Sequence, residues 1–539
     1  MHKAGARALL RLRRRLARTR SAFAAAPLVD GYEVVDVGGR RLSASPDPGL
    51  TPEEVKQQNL DLLVDVFERA DIPYFLVRGF SPMRHRVGVP AQHRRQVLTL
   101  LAAACDGRAV YAARLRGSAL GDIALATDVT RPDSSDADVL RVFQVHVRPD
   151  GASVLGGEYG CDLEFWREEP AALVGPRRNQ VSHRVPAPLA TPTDMPVRDR
   201  TYRTLAPFTA PLVEDVDFPI DVVYTWVDGS DPEWLARKAA SLPDLQRDTH
   251  GVLATDASRF LDRDELKYSL RSLASYAPFV RNVYVVTDDQ VPPWLRTDHP
   301  RLRVVSHREI FESPDVLPTY NSHAIESQLH HIDGLSEHYL YLNDDVFLGR
   351  LQTPLSFFHG NGLAKFFHSR NGQVDLGDST GHDSPLVSSG KNNRKLIESH
   401  FGRRPVRLFQ HVPHSQLRSV LVEMERTFPA EFERTAAHRF RHVDDISVAA
   451  ALHHDYAYLT RRAVPATLHY AYVDIAEILT AEQLREEVPW STFDVFCLND
   501  KGSSGSDAGA QARAVRGFLE GYFPHPCQFE KGQPSTSLL

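Results

Sequence analysis

From Pro219 onward the chain alternates short apolar runs with helical ones. Ile220-Asp221-Val222-Val223-Tyr224-Thr225-Trp226-Val227 predicts a buried strand that stops at Asp228-Gly229-Ser230-Asp231-Pro232. Leu266, Leu270 and Leu273 then mark a helix, with Asp262 and Glu265 at capping-box spacing before it. Two more strands follow, Val283 to Val286, closed by Thr287-Asp288-Asp289, and Leu302 to Val305. In the stretch Asn321 to Gly349, Ile325, Leu329 and Ile332 share one helical face, Asn321 or Ser322 caps its start, and Gly334 ends it. A strand over Tyr339 to Leu342 then runs into Asn343-Asp344-Asp345. Strands alternating with helices, three of them ending in Asp, predict an α/β fold. Its sheet is mostly parallel, with helices on both faces and carboxylates gathered along one edge.

The first half follows a different pattern. A helix signature starts at Thr51-Pro52-Glu53-Glu54 and continues through Leu60, Leu63, Val64 and Phe67; a strand at Tyr74 to Val77 comes next. A second helix spans Arg94 to Ala104, and Val139 to Val147 with Ala152 to Trp166 reads as a hairpin around Pro149-Asp150-Gly151. The expected organisation is a basic arm and linker over 1–50, a smaller α+β domain of unreadable role over 51–185, and a proline-rich linker over 186–218. A catalytic domain over 219–530 and a tail over 531–539 complete it. The Gly/Ser/Asn-rich segment 369–394 reads as a long loop of the kind that serves as a lid.

Composition narrows the class. The 539 residues carry a net charge of −6, which argues against a nucleic-acid partner. Four cysteines, at 105, 161, 497 and 527, have neither metal spacing nor a disulfide framework, so a reducing compartment is expected. No run approaches a membrane span. The first twenty residues hold seven arginines and a lysine without an acid, and Leu9, Leu12 and Leu16 share a face. Residues 1–26 thus fit either peripheral contact with an anionic membrane or a plain basic tail. The expected location is the cytoplasm, at the inner face of the membrane if the arm binds there.

The candidate chemistry sits where carboxylates end apolar strands. A helix feeding the strand before Asp345 brings Glu326 to the same rim, which suits metal binding or acid–base work; the plainer reading is a capping Asp and a solvated Glu. Further on come His411-Val412-Pro413-His414 and Arg439-Phe440-Arg441-His442-Val443-Asp444-Asp445. Pro413 forbids a regular helix through both histidines and no third ligand stands at fixed spacing, so a histidine base with arginines on phosphate oxygens fits better than zinc. The plain alternative for the arginines is surface ion pairing. An acidic sheet edge of this layout is that of a nucleotide-sugar-binding domain, where a carboxylate pair meets a diphosphate through a divalent cation.

Four blocks in order resemble the Stealth family of sugar-1-phosphate transferases: IDVVYTWVDGSDPEW (220–234), the run from Arg263 to Gly349, HVPH through RFRHVDD (411–445), and CLND through YFPHPCQFE (497–530). The chain continues from Gly349 straight into Arg350, without the cysteine-rich insertions of animal members, and so is similar to the bacterial form. The resemblance implies catalytic roles for Glu326, Asp345, His411 and Arg441. It also implies nucleotide-sugar contacts from Trp226, Asp228, Arg271 and Asn343, and a magnesium or manganese ion on Asp345. The donor would be a nucleotide-diphosphate sugar and the acceptor a sugar or polysaccharide. Two other classes stay open: a metal-dependent glycosyltransferase attacking the anomeric carbon, and a non-catalytic polysaccharide-binding scaffold.

Overall fold

The computed structural model describes residues 28–532, apart from 38, 47–48, 117–118, 130–136, 149–150, 152, 243–259 and 501–507. The expected basic arm lies outside the described residues. No helix among them is long and apolar enough to cross a membrane. The chain divides into two units, Met1–Ala210 and Pro211–Leu539.

In the first unit, Thr51 caps the helix Pro52–Arg69 in a reciprocal capping box with Glu54. Leu60, Leu63, Val64 and Phe67 pack with Val97, Leu98 and Leu101 of the helix Arg94–Ala104 in one core, beside a 10-stranded sheet. The expected hairpin forms as two pairings, His146 opposite Leu155 and Val142 opposite Cys161. The expected linker 186–218 needs correction. Pro192–Val197 and Arg200–Leu205 form an antiparallel hairpin, and Thr204 pairs in parallel with Leu76, extending the sheet. Two of the prolines that suggested a boundary, Pro192 and Pro196, sit on the outermost strand, where proline is tolerated.

The elements of the second unit that position the site are, in chain order, β1 Ile220–Thr225, α1 Pro232–Ser241, α2 Glu265–Tyr276, β2 Val280–Thr287, β3 Leu302–Ser306, α3 Ser322–Glu326 and β4 His338–Asn343. They continue with β5 Val346–Leu348, β6 Ala364–Gln373, α4 Pro385–Phe401, β7 His414–Leu417, α5 Arg418–Thr427 and β8 Val495–Asn499. The main sheet has the order β3-β2-β1-β4-β7; its first three pairings are parallel, and β4 with β7 is antiparallel. β1 is buried over all but its last residue, including Asp221, whose carboxylate is held by Arg281. Each such Val, Leu or Tyr contributes about 1.5–3 kcal/mol by leaving water.

The sheet is smaller than the sequence pattern suggests, because β8 joins β5 and residues 470–474 in a separate three-stranded sheet. Two helical expectations also change. The helix after Asn321 stops at Glu326, and a 3-10 turn over Leu329–His331 follows. The expected long loop is shorter: β6 runs to Gln373 and α4 begins at Pro385, capped by Ser384. α4 escaped detection because its buried face is polar, with Ser388, Ser389, Lys391, Asn393 and Arg394 beside Ile397.

Candidate active site

Between β1 and β4 the strand order reverses, so their carboxyl ends open a crevice at the switch point of the sheet. Thr225 and Asn343 pair there as the last residues of the two strands. Trp226 is buried just beyond, its amide bonded to the Val286 carbonyl at 3.0 Å. Asp228 turns back on its own loop and accepts the Ser230 amide at 2.8 Å and hydroxyl at 2.6 Å. Gly229 is required here, because a Cβ would lie 2.2 Å from the Phe260 carbonyl oxygen.

One half of the site joins α3 to the loop after residue 438. Asn321 caps α3 by accepting the His323 amide, and its amide group donates to Asp445 at 2.9 Å. Asp445 also accepts from His438 Nδ1 at 2.7 Å and from the His442 amide at 2.8 Å. Burial would raise its pKa, but His323 and His438 outweigh it and the carboxylate stays ionised. Asn392 of α4 donates to the carbonyls of Val443 and Asp445, so the polar helix is a brace for this loop. Arg441 on that loop donates from Nη2 to Ser322 Oγ at 2.7 Å, while its Nε is buried without a partner. Glu326 ends α3. Tyr341 donates to its Oε1 at 3.3 Å, and Oε2 is buried without a hydrogen bond. Burial raises the Glu326 pKa, opposed by His323, Arg441 and Tyr341.

The other half is an imidazole–carboxylate pair. His411 Nε2 lies 3.1 Å from Asp345 Oδ1, and Asp345 Oδ2 accepts from Asn499 Nδ2 at 3.0 Å and from Cys497 Sγ at 3.3 Å. Burial would raise the Asp345 pKa, yet His411, Asn499 and Cys497 together bring it below the usual carboxylate value. Burial depresses His411, but Asp345 and then Glu326 outweigh it and raise the ring's pKa, with Arg441 opposing. These mutual influences bring Glu326, Asp345, His411 and Arg441 into one electrostatic unit. His414 is different: it is buried in β7, stacked on Tyr341, and bonded through Nδ1 to His454 Nε2 at 3.0 Å.

Asp262 and Glu265 do not form the expected cap. Asp264 stands at the N-cap in a left-handed conformation, Asp262 Oδ1 accepts the Asp264 amide, and Glu265 Oε2 accepts the Arg263 amide. Both carboxylates instead crowd Asp344. Burial, then Glu265, Asp345 and Asp262, push Asp344 well above its usual value. Burial likewise raises Asp262 to about 6 and Glu265 to about 7. Their spacing in the sequence suits a capping pair; the orientation that turns them toward Asp344 depends on packing. Arg271 is engaged elsewhere, with Nε and Nη2 both 2.8 Å from the Glu530 carboxylate and Nη1 2.8 Å from the Phe523 carbonyl. That arrangement anchors the C-terminal segment to α2.

The switch point of the sheet thus has crowded carboxylates near it, an imidazole–carboxylate pair, and a buried glutamate and arginine that influence each other's charge. Models of the four Stealth protein conserved regions match residues 218–246 for region 1, 259–366 for region 2, 410–458 for region 3 and 490–537 for region 4. An exopolysaccharide phosphotransferase of Streptomyces coelicolor, SCO6023, is 44% identical over 497 residues, covering 90% of this chain and 84% of the relative. The exopolysaccharide phosphotransferase CpsY of Mycobacterium tuberculosis is 38% identical, covering 90% of each chain. The chain belongs to the Stealth family and is an enzyme of the phosphotransferase class. Among solved structures, the galactosyltransferase LgtC covers 58% of this chain at 12% identity with a TM-score of 0.29, a likeness too loose to carry an argument.

Proposed function

We propose that the enzyme transfers a sugar 1-phosphate from a nucleotide-diphosphate sugar, such as UDP-N-acetylglucosamine, to a hydroxyl of an acceptor sugar in exopolysaccharide synthesis. The observation that carries this reading is the His411–Asp345 hydrogen bond beyond the carboxyl end of β4, with Glu326 and Arg441 near enough to shift the charge of His411 in opposite directions. Asp345 receives His411 Nε2, which leaves Nδ1 as the nitrogen for the acceptor hydroxyl. That nitrogen takes the proton as the hydroxyl oxygen bonds to the sugar-proximal phosphorus. The bond from this phosphorus to the bridging oxygen breaks, and the nucleoside monophosphate leaves. Arg441, with a buried N–H unused, is suited to the equatorial phosphoryl oxygens. Trp226, Asp228 and Asn343 line the nucleotide-sugar side of the crevice.

The crowded carboxylates fit a hard divalent cation, because Asp262, Glu265 and Asp344 repel one another, with Arg263 as a counter-charge on Glu265. Asp344 and Asp345 would hold magnesium or manganese, which when bound supplies charge neutralisation to the diphosphate. An anionic membrane surface at the cytoplasmic face is the partner that residues 1–26 fit by composition.

The deciding experiment follows the sugar-proximal phosphorus. A radiolabel placed there should enter the polysaccharide product, with nucleoside monophosphate released. Label retained in a released nucleoside diphosphate would mean glycosyl transfer, and the proposal would fall.

A further inference from the structure

Outside that site, two adjacent histidines and a glutamate from a distant helix converge. The 3-10 turn Leu329–His331 follows α3, and α5 brings Glu425 against it. Glu425 Oε2 lies 3.0 Å from His330 Nε2 and 3.1 Å from His331 Nε2. All three ligand atoms fall within 4.8 Å of one another. Arg418, at the start of α5, donates to the His330 carbonyl at 2.8 Å and already ties turn to helix.

Proton placement leaves room for a cation in this cluster. His331 Nδ1 is 2.9 Å from the Ile310 carbonyl, which only accepts, so Nδ1 carries a proton. In a neutral ring Nε2 is then a lone pair facing a carboxylate oxygen, and His330 Nε2 faces the same oxygen. Either a second proton on His331 or a cation between the three atoms resolves that opposition. Tetrahedral zinc, with nitrogens and oxygens at about 2.0–2.2 Å, spaces neighbouring donors by about 3.3 Å. The two carboxylate–imidazole separations, 3.0 and 3.1 Å, need only a small expansion, and the two imidazole nitrogens lie within 4.8 Å of one another. The Ile310 carbonyl is the outer-shell acceptor that fixes a metal-bound imidazole's tautomer. His330 is fully buried, whereas His331 and Glu425 are 30% and 32% exposed, so solvent reaches a fourth position.

We propose that His330, His331 and Glu425 form a zinc site separate from the carboxylate cluster, clipping the turn just after Glu326 to α5. Two imidazoles and one carboxylate select zinc over magnesium. The full-length protein, stripped of metal, is titrated with zinc alone at pH 7.5 against a chromophoric chelator. The expected result is an equivalent of tightly bound zinc in the wild type. Glu425→Gln and His331→Gln should each weaken it by more than the about 10- to 100-fold typical of losing an outer-shell partner. His411→Ala, which dismantles the other cluster of metal-ligand spacing (Asp345, His411 and Cys497), should leave it in place. Zinc binding unchanged by both the Glu425 and His331 variants, or abolished by His411→Ala alone, overturns the proposal. Should the two variants fold poorly, thermal unfolding of the wild type and of His411→Ala decides: zinc must raise the melting temperature of both, and a rise in neither overturns it.

Discussion

Each of the two units buries a set of charges, and the sets are finished differently. In the first unit, Asp162 lies between Arg141, at 2.7 Å, and Arg177, at 2.6 Å. Glu164 holds Arg177 at 2.7 Å and accepts the Trp166 N–H at 3.1 Å. Every oxygen of the two carboxylates is taken, and the arginines outweigh burial to pull Asp162 below its usual value. In the second unit, Glu326 Oε2 and Arg441 Nε are buried without hydrogen bonds, and Asp344 is pushed up by burial and by its acidic neighbours. Closed networks serve the fold; a set with unused buried donors and acceptors carries a cost that a ligand can relieve. By that criterion the first unit's charge cluster serves the fold, and the second unit's is the one that a ligand would complete.

Four experiments bear on this contrast, the largest effect first. Chelation should abolish transfer, with magnesium or manganese restoring it and zinc not required for turnover; full activity in excess chelator would remove the cation from the crevice. His411→Ala should lower turnover by a factor of about 10² to 10⁴ while donor binding persists. His414→Ala should be hurt less in turnover, since its ring touches His411 only edge-on and its Nδ1 is engaged by His454 and not by Asp345; if it were the more damaged with the fold intact, the wrong histidine has been assigned.

Stability should respond in opposite directions in the two units. Asp162→Asn strips a closed network of its centre and should destabilise the fold by about 3–5 kcal/mol. Asp344→Asn removes a self-repelling carboxylate and should stabilise it by about 0.5–2 kcal/mol, at the expense of activity. Denaturant melts showing the same sign for both would end the comparison. The smallest effect is in the pH profile. A base must be neutral, and Asp345 and Glu326 raise the His411 pKa against its burial, so activity should fall as pH drops through a value above the ordinary 6.5. Asp345→Asn should move that acid limb downward; an unmoved limb in kcat/KM would mean that His411 is not the group titrating.

The strands were legible in the sequence because a buried strand advertises itself locally. Ile220 to Thr225 and Tyr339 to Leu342 are apolar runs, and the acids closing them had to emerge at the sheet edge. Local signals also marked the Thr51–Glu54 capping box and the Asn321 cap. α4 was hidden because its buried face is paired by hydrogen bonds instead of by hydrophobic contact, which leaves no periodicity to read. Asp262 and Glu265 look identical on paper whether they cap α2 or crowd Asp344. Which nitrogen of His411 meets Asp345, which carboxylate braces the Arg441 loop through Asn321, and which glutamate faces His330 and His331 were decided only by the tertiary structure. Those contacts join residues 66, 124 and 95 positions apart. Burial periodicity is a property of neighbours along the chain, whereas hydrogen-bond partners across such separations exist only once the sheet and its flanking helices have packed.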